Sequence, residues 1–398
     1  MAKFRKINEI LNIKGLRFNT EGALPANSPY EDTGICPEAA EEVSEVIRSG
    51  KVSYWGGGPK AKKLEKEFSD LIGRRHSFFH SSGSSALITA VRAFDLAPGT
   101  DVAITSSGFI SSLNAVYHAN LRPRFIPTDP ETLLGKVSDN SHFDSSPTLA
   151  LVTHFFGNVV DVDDLVQKLS PKYLIEDASQ ALGSKYKNKY VGGVGDISTF
   201  AGSNRKLFGA GQGGINVYDD DDLGKRMRII SHHGKHNNVD SITPGYNFRG
   251  GEMEAVLGLY SLKVLNEKAK KRNDSAEAFS KIVLDAGIQL AQKDKELDCE
   301  IVWFDNAIIL PEDWKKNERD LLVEILNYQG VPAWIYPALI ETPWLKKWMV
   351  EQGWWTKYEE ELLEYEKSIW DRVFVVGTQM SSRDAHRCAQ IISDILVK

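Results

Sequence analysis

The chain has 398 residues, 42% of them apolar and 26% charged, with a formal net charge of −6. That length suits one large or two moderate domains with a full core, and the acidic balance excludes nucleic-acid binding driven by general electrostatics while leaving room for a local phosphate site. No apolar run is long enough to span a bilayer, the basic start MAKFRKINEILNIKGLRF lacks an apolar core of secretory length, and the three cysteines, Cys36, Cys299 and Cys388, are too scattered for a disulfide framework or a metal pair. A cytoplasmic protein is the expectation.

In chain order, short β-rich runs are predicted at residues 77–80, 101–105, 123–127, 149–155, 173–175, 197–200 and 215–218. Helical patterns lie between several of them, at 85–94, 111–120, 162–169 and 223–231. Strand–helix alternation of this kind predicts an α/β fold with a mostly parallel sheet covered on both faces. The pattern changes near Gly250. Long helices are predicted at 252–270 and 271–286, then strands at 301–304 and 373–376 mixed with helices at 318–328 and 382–397. We therefore expect an N-terminal arm and large cofactor-binding domain over 1–254, and a smaller α+β domain over 255–398.

In open parallel sheets, ligands bind beyond the carboxyl ends of the strands. The predicted strands are followed by HSSGSSAL (80–87), SSGF (106–109), THFFGN (153–158), EDASQ (176–180) and AGSNRK (201–206). Five strand ends thus carry residues able to do chemistry. HSSGSSAL offers free backbone N–H groups and hydroxyls to an anion at a helix N-terminus, and equally suits an ordinary serine N-cap. Glu176 and Asp177 follow a short apolar run, and a carboxylate buried there needs a partner: a metal, a cation or a protonated ring nitrogen. No His or Cys stands at ligand spacing beside them, which makes a metal the weakest of the three.

Other patterns carry less. GAGQGG (209–214) matches G-x-G-x-x-G formally, but a strand-like INVY follows it where a dinucleotide motif needs a helix. SHHGKH (231–236) has three histidines and no second cluster to complete a metal site. No nucleophile elbow and no P-loop occurs. The tail tryptophans, Trp344, Trp348, Trp354, Trp355 and Trp370, suit packing better than stacking on a sugar.

The stretch STFAGSNRKLFGAGQGG (198–214) sets one lysine, Lys206, where most neighbours are small. An isolated lysine, a phosphate cradle and a buried carboxylate at neighbouring strand ends are the parts that pyridoxal phosphate needs. The lysine forms a Schiff base with the aldehyde, and the carboxylate keeps the pyridine nitrogen protonated.

From about Gly34 to the C-terminus the chain resembles the DegT/DnrJ/EryC1/StrS family of pyridoxal phosphate-dependent sugar aminotransferases. The landmarks are YWGGGPKAKKLEKEF (54–68), HSSGSSALITA (80–90), LALVTHFFGN (149–158), IEDASQALGSKY (175–186), VGDISTF with the lysine and GQGG (194–214), GYNFRGGEMEAVLGL (245–259) and IYPALIETPWL (335–345). The resemblance implies the aspartate-aminotransferase-like fold (fold type I), as a homodimer with active sites at the interface. It places Lys206 at the Schiff-base position and Asp177 at the pyridine nitrogen, these two being the catalytic pair. Cofactor-binding roles fall on Gly83, Ser84 and Ser85 at the phosphate, Phe109 stacked on the ring and Gln180 near the phenolic oxygen. Asn247 would reach the phosphate from the neighbouring subunit.

Three positions depart from the family pattern. Ala201 replaces the usual phosphate-binding Ser five residues before the lysine, for which Ser203 is the candidate substitute; Gln212 stands where an acid is usual; and Tyr336-Pro337-Ala338-Leu339 lacks the frequent histidine. Relatives with histidine in place of the lysine dehydrate sugars, so Lys206 favours amino transfer from glutamate or glutamine to a keto sugar, nucleotide-linked in most of the family. The alternatives are a sugar dehydratase of the same fold and a non-catalytic sugar-binding or regulatory homologue.

Overall fold

The computed structural model describes residues 3–14, 16, 35–137, 146–236 and 240–398. Gly34, where the resemblance is expected to begin, and the start and end of the MAKFRKINEILNIKGLRF segment lie outside them. Seven strands build one sheet: β1 (His76–His80), β2 (Asp101–Thr105), β3 (Arg122–Ile126), β4 (Leu149–Thr153), β5 (Tyr173–Asp177), β6 (Ile197–Ala201) and β7 (Gly214–Tyr218). Their spatial order is β1-β7-β6-β5-β4-β2-β3, and only β7 runs antiparallel to its neighbours. The sheet is mostly parallel because its sequential strands are joined by crossover helices, among them Gly83–Ala93, Ile110–His118 and Val162–Leu169. With helices on both faces, the central strands are apolar throughout, and Leu149, Ala150, Leu151 and Val152 are all buried.

A second sheet of four antiparallel strands runs in the order Gln289–Leu290, Asp305–Ile309, Val373–Gly377, Ala333–Trp334. Helices Leu265–Asp285, Lys316–Tyr328 and Ser382–Leu396 enclose its own core around Phe279, Ile308, Leu322, Phe374 and Leu396. Two loops of this C-terminal part reach the large sheet: the Leu339 N–H donates to the Ser106 carbonyl at 2.8 Å, and the Phe304 N–H donates to the Phe156 carbonyl at 2.8 Å. These contacts carry Phe304 and Tyr336 to the strand ends.

Three expectations need correction. The first long helix ends at Lys263 rather than 270, and the next starts at Leu265, with Val264 leaving helical geometry at φ −106°, ψ 11°. The break is tertiary in origin. The first segment packs on helix Pro59–Ile72 and the second on helix Ser382–Leu396, so the chain must turn between them. Nor do residues 301–304 form a strand. The N–H groups of Val302, Trp303 and Phe304 bond Ser184 Oγ, Asn273 Oδ1 and the Phe156 carbonyl, and the ladder begins only at Asp305, opposite Gly377. Likewise β4 stops at Thr153, because Phe156 turns to φ 61° in a short 3₁₀ segment. Among the described residues, no helix is long and apolar enough to cross a membrane.

Candidate active site

A cavity of about 290 Å³ opens at the carboxyl ends of β4, β5 and β6, where ligands bind in sheets of this kind. Gly83, Ser84, Phe109, Asp177, Gln180, Ser203 and Lys206 all line it.

The wall nearest β1 is the start of helix Gly83–Ala93. Ser82 is its N-cap, and Ser82 and Ser85 close a reciprocal capping box, with the Ser85 N–H donating to Ser82 Oγ at 3.0 Å and the Ser82 N–H to Ser85 Oγ at 2.9 Å. Ser85 is therefore spent on capping and does not line the cavity. Gly83 and Ser84, in the same first turn, have N–H groups with no acceptor inside the helix, and both residues border the space. Glycine is required at 83 because a Cβ there would meet the Ala201 Cβ at 2.7 Å. This close backbone approach, at a positive helix end, is an anion cradle.

On the floor, successive β5 side chains point to opposite faces and separate the two carboxylates. Glu176 turns away from the cavity. It is 1% exposed and accepts from His154 Nε2 at 3.0 Å, from the N–H groups of Gly192, Val194 and Gly195 at 3.0, 2.9 and 2.6 Å, and from Ser198 Oγ at 3.2 Å. Since His154 Nδ1 accepts from the Val160 N–H, its proton sits on Nε2. Burial pushes Glu176 up, but the hydrogen bond from His154, then those from the Gly195 and Val194 N–H groups, outweigh it and hold the carboxyl at about 2. Asp177 faces the cavity. Ser112 Oγ donates to its Oδ2 at 2.8 Å and the Ser179 N–H to its Oδ1 at 3.1 Å, which orients the carboxylate.

Lys206 comes from the loop between β6 and β7. That loop is pinned by the Gly202 N–H to Gly213 carbonyl bond at 2.7 Å and by Ser261 Oγ, which accepts from the Gly209 N–H and donates to the Leu207 carbonyl. Arg272 Nη2 donates to the Arg205 carbonyl at 2.7 Å, and Arg205 itself takes φ 67°. The small residues of this stretch let the loop fold back on itself and present Lys206. Its Nζ stands 4.1 Å from the Phe304 ring centre. Burial lowers its proton affinity, against the opposing pull of Asp305 and then Asp177.

Phe109 caps helix Ile110–His118 and is 49% exposed, an aromatic ring left open above the cavity. Gln180 Oε1 accepts from the Phe156 N–H at 2.8 Å. Asn247 does not join them. It lies on the outer face, where Arg249 donates to its Oδ1, near Trp55 and His232. None of the five tail tryptophans lines the cavity; Trp370 is core, and Trp344, Trp348 and Trp354 pack edge-on with one another and with Tyr117. Among the described residues, no three His, Cys, Asp or Glu side chains converge as a metal site. Residues to which the sequence reading gave no site role are Ser111, Ser112, Thr153, Ser179, Arg205, Phe304 and Tyr336. The serines in ISS (110–112), just beyond SSGF, were the available signal for Ser112.

An anion cradle, an open aromatic ring, an oriented carboxylate and a desolvated lysine around one cavity fit a phosphorylated pyridine aldehyde. With the sheet order, they define a fold type I pyridoxal phosphate enzyme. Residues 35–369 match the DegT/DnrJ/EryC1/StrS aminotransferase family, and the chain belongs to it; its cofactor is pyridoxal 5′-phosphate. The chain is 30% identical over 268 residues to the spore coat polysaccharide biosynthesis protein SpsC of Bacillus subtilis, covering 63% of this chain and 68% of that one. It is 30% identical over 284 residues to GDP-perosamine synthase of Caulobacter vibrioides, covering 68% and 74%. Among solved structures, 3-amino-5-hydroxybenzoic acid synthase superposes with a TM-score of 0.81 at 21% identity, covering 93% of this chain and 99% of that one.

Proposed function

We propose that this chain transfers an amino group from glutamate or glutamine to a keto sugar carried on a nucleotide, and that it works as a homodimer. The observation that carries the reading is that Lys206 and Asp177 open on one cavity whose third wall is the N-terminal turn at Gly83. The names of the sugar-processing relatives support the acceptor class.

Bound pyridoxal phosphate carries the amino group between the two substrates and accepts electron density from the carbon that loses its proton. The chain supplies the rest. The N–H groups of Gly83 and Ser84, with Ser203, would hold the phosphate, and Ala201 would contribute only a methyl group there. Asp177, held by Ser112 and Ser179, would accept a hydrogen bond from the ring nitrogen and keep it protonated. Phe109 would pack on the bound ring and Gln180 would bond the cofactor's polar edge. Lys206 Nζ takes the proton from the donor's α-carbon and, in the second half of the cycle, delivers one to the acceptor carbon that gains nitrogen. A lysine can do this only if it is neutral part of the time, which its burial favours.

Half-reactions test the function. Loaded with pyridoxal phosphate and given amino acids one at a time, the protein is expected to convert glutamate or glutamine to the keto acid and to turn over with nucleotide-linked keto sugars. Conversion of no amino acid despite bound cofactor overturns the reading. Asp177→Asn keeps the shape but loses the charge, and turnover is expected to fall by about 10²-fold, the cost of roughly 3 kcal/mol for breaking a buried charge pair.

The dimer reading explains why Asn247 lies away from its own chain's cavity. A C2 interface lets each chain complete the other's site. Mixed subunits of Lys206→Ala and Asn247→Ala are expected to recover about a quarter of wild-type turnover, since half the dimers carry one intact site of two. No recovery on mixing would show that Asn247 serves no neighbouring site.

A further inference from the structure

Asp305 takes no part in the chemistry above. It opens strand Asp305–Ile309 and is fully buried. The Tyr336 hydroxyl donates to its Oδ2 at 3.4 Å, and its Oδ1 has no hydrogen-bond partner. A carboxylate oxygen left in this state costs about 1–3 kcal/mol or more, and burial accordingly raises the Asp305 carboxyl to about 7 against the opposing pull of Arg205 and then Lys206. The groups acting on it come from several elements: Arg205 and Lys206 from the loop after β6, Arg272 from helix Leu265–Asp285, and Tyr336 from the loop after Ala333–Trp334. Strand Val373–Gly377, its other neighbour, presents only Gly377 at this register and adds no titratable side chain.

Position ties Asp305 to the lysine. Phe304, whose ring Lys206 Nζ overlies, immediately precedes it in the chain, and Tyr336 touches both Asp305 and the cavity. Asp305 opposes the loss of the Lys206 proton more strongly than Asp177 does. Asp177 is also committed to the far side of the cavity by Ser112 and Ser179.

We propose that Asp305 is a positioning residue for Lys206: the buried counter-charge that holds the free lysine as ammonium between reaction steps, with Tyr336 fixing the carboxylate. This rests on the role given to Lys206 above. Burial draws the lysine toward the neutral amine, and the carboxylate draws it back. Removing the negative charge therefore moves Lys206 titration to lower pH. By reciprocity, Asp305 holds a proton more tightly once the lysine has lost its charge.

The test uses the full chain freed of cofactor, labelled with trace acetic anhydride over a pH series. Acetylation at Lys206 is measured by peptide mass spectrometry against the exposed Lys347. Only the neutral amine reacts. Asp305→Asn is expected to shift the half-labelling pH of Lys206 down by about one unit and raise its labelling at neutral pH several-fold, and Asp305→Glu to return the profile toward wild type. A merely structural role would not move this profile, and superposition of Asp305→Asn on wild type overturns the proposal. Should Asp305→Asn fail to fold, Tyr336→Phe carries the test, with a smaller downward shift expected and no shift overturning it. Borohydride trapping of pyridoxal phosphate on the wild-type chain keeps the two readings apart. Trapping away from Lys206 sinks the proposed function whatever the labelling shows, and trapping at Lys206 with an unmoved profile sinks only the role of Asp305.

Discussion

Lys206→Ala is expected to lower amino transfer by about 10⁴-fold, the upper range for losing a positioned general acid–base group. The same change removes the proposed covalent anchor, so borohydride is expected to fix no pyridoxal phosphate at position 206. The fold is expected to survive, because the loop is held by backbone bonds and by Ser261 rather than by the lysine side chain. Residual cofactor binding should persist through the cradle at Gly83 and Ser84, whose N–H groups the substitution leaves in place. Near-normal turnover in Lys206→Ala, or a reducible adduct still formed at the active site, would remove the lysine from the chemistry.

Glu176→Ala is expected to destabilise the fold by about 3–5 kcal/mol, because it leaves several buried donors without their acceptor. His154 Nε2–H and the N–H groups of Gly192, Val194 and Gly195 would all lose their acceptor at once. Urea unfolding measures it, and a loss under about 1 kcal/mol would show that water replaces the carboxylate. The pair also sets an acid limit. The folded carboxyl sits at about 2 against an ordinary 4.5, so its contribution is fully present above about 4.5 and is lost as the pH falls from there toward 2. Glu176→Gln should flatten that part of the stability profile while keeping some of the hydrogen bonds.

Much of the large sheet was legible in the chain. All seven strands predicted for the large sheet are found, because most are short runs rich in apolar or β-branched residues, a signal local to a few residues. The lone lysine and the five small-residue clusters were legible for the same reason. The C-terminal half was harder to read. Trp303 and Phe304 look like strand residues, yet their backbone bonds go to Asn273 and Phe156, groups outside any ladder. The helix break at Val264 has no glycine or proline to announce it, since its cause is two different packing partners.

The amino-acid order by itself determined the alternation of strands and helices, the small-residue turns at the strand ends and the family, since all three rest on neighbours in the chain. From the bare pattern, Glu176 and Asp177 were equivalent. The pleat of β5 and the partners on either face assign one to the fold and the other to the cavity. Tertiary structure alone decided that Phe304, Asp305 and Tyr336, about 100 residues or more from Lys206, stand beside it. Such proximity arises where loops of the C-terminal part meet the strand ends of the large sheet, and local periodicity holds no record of a contact made over that separation.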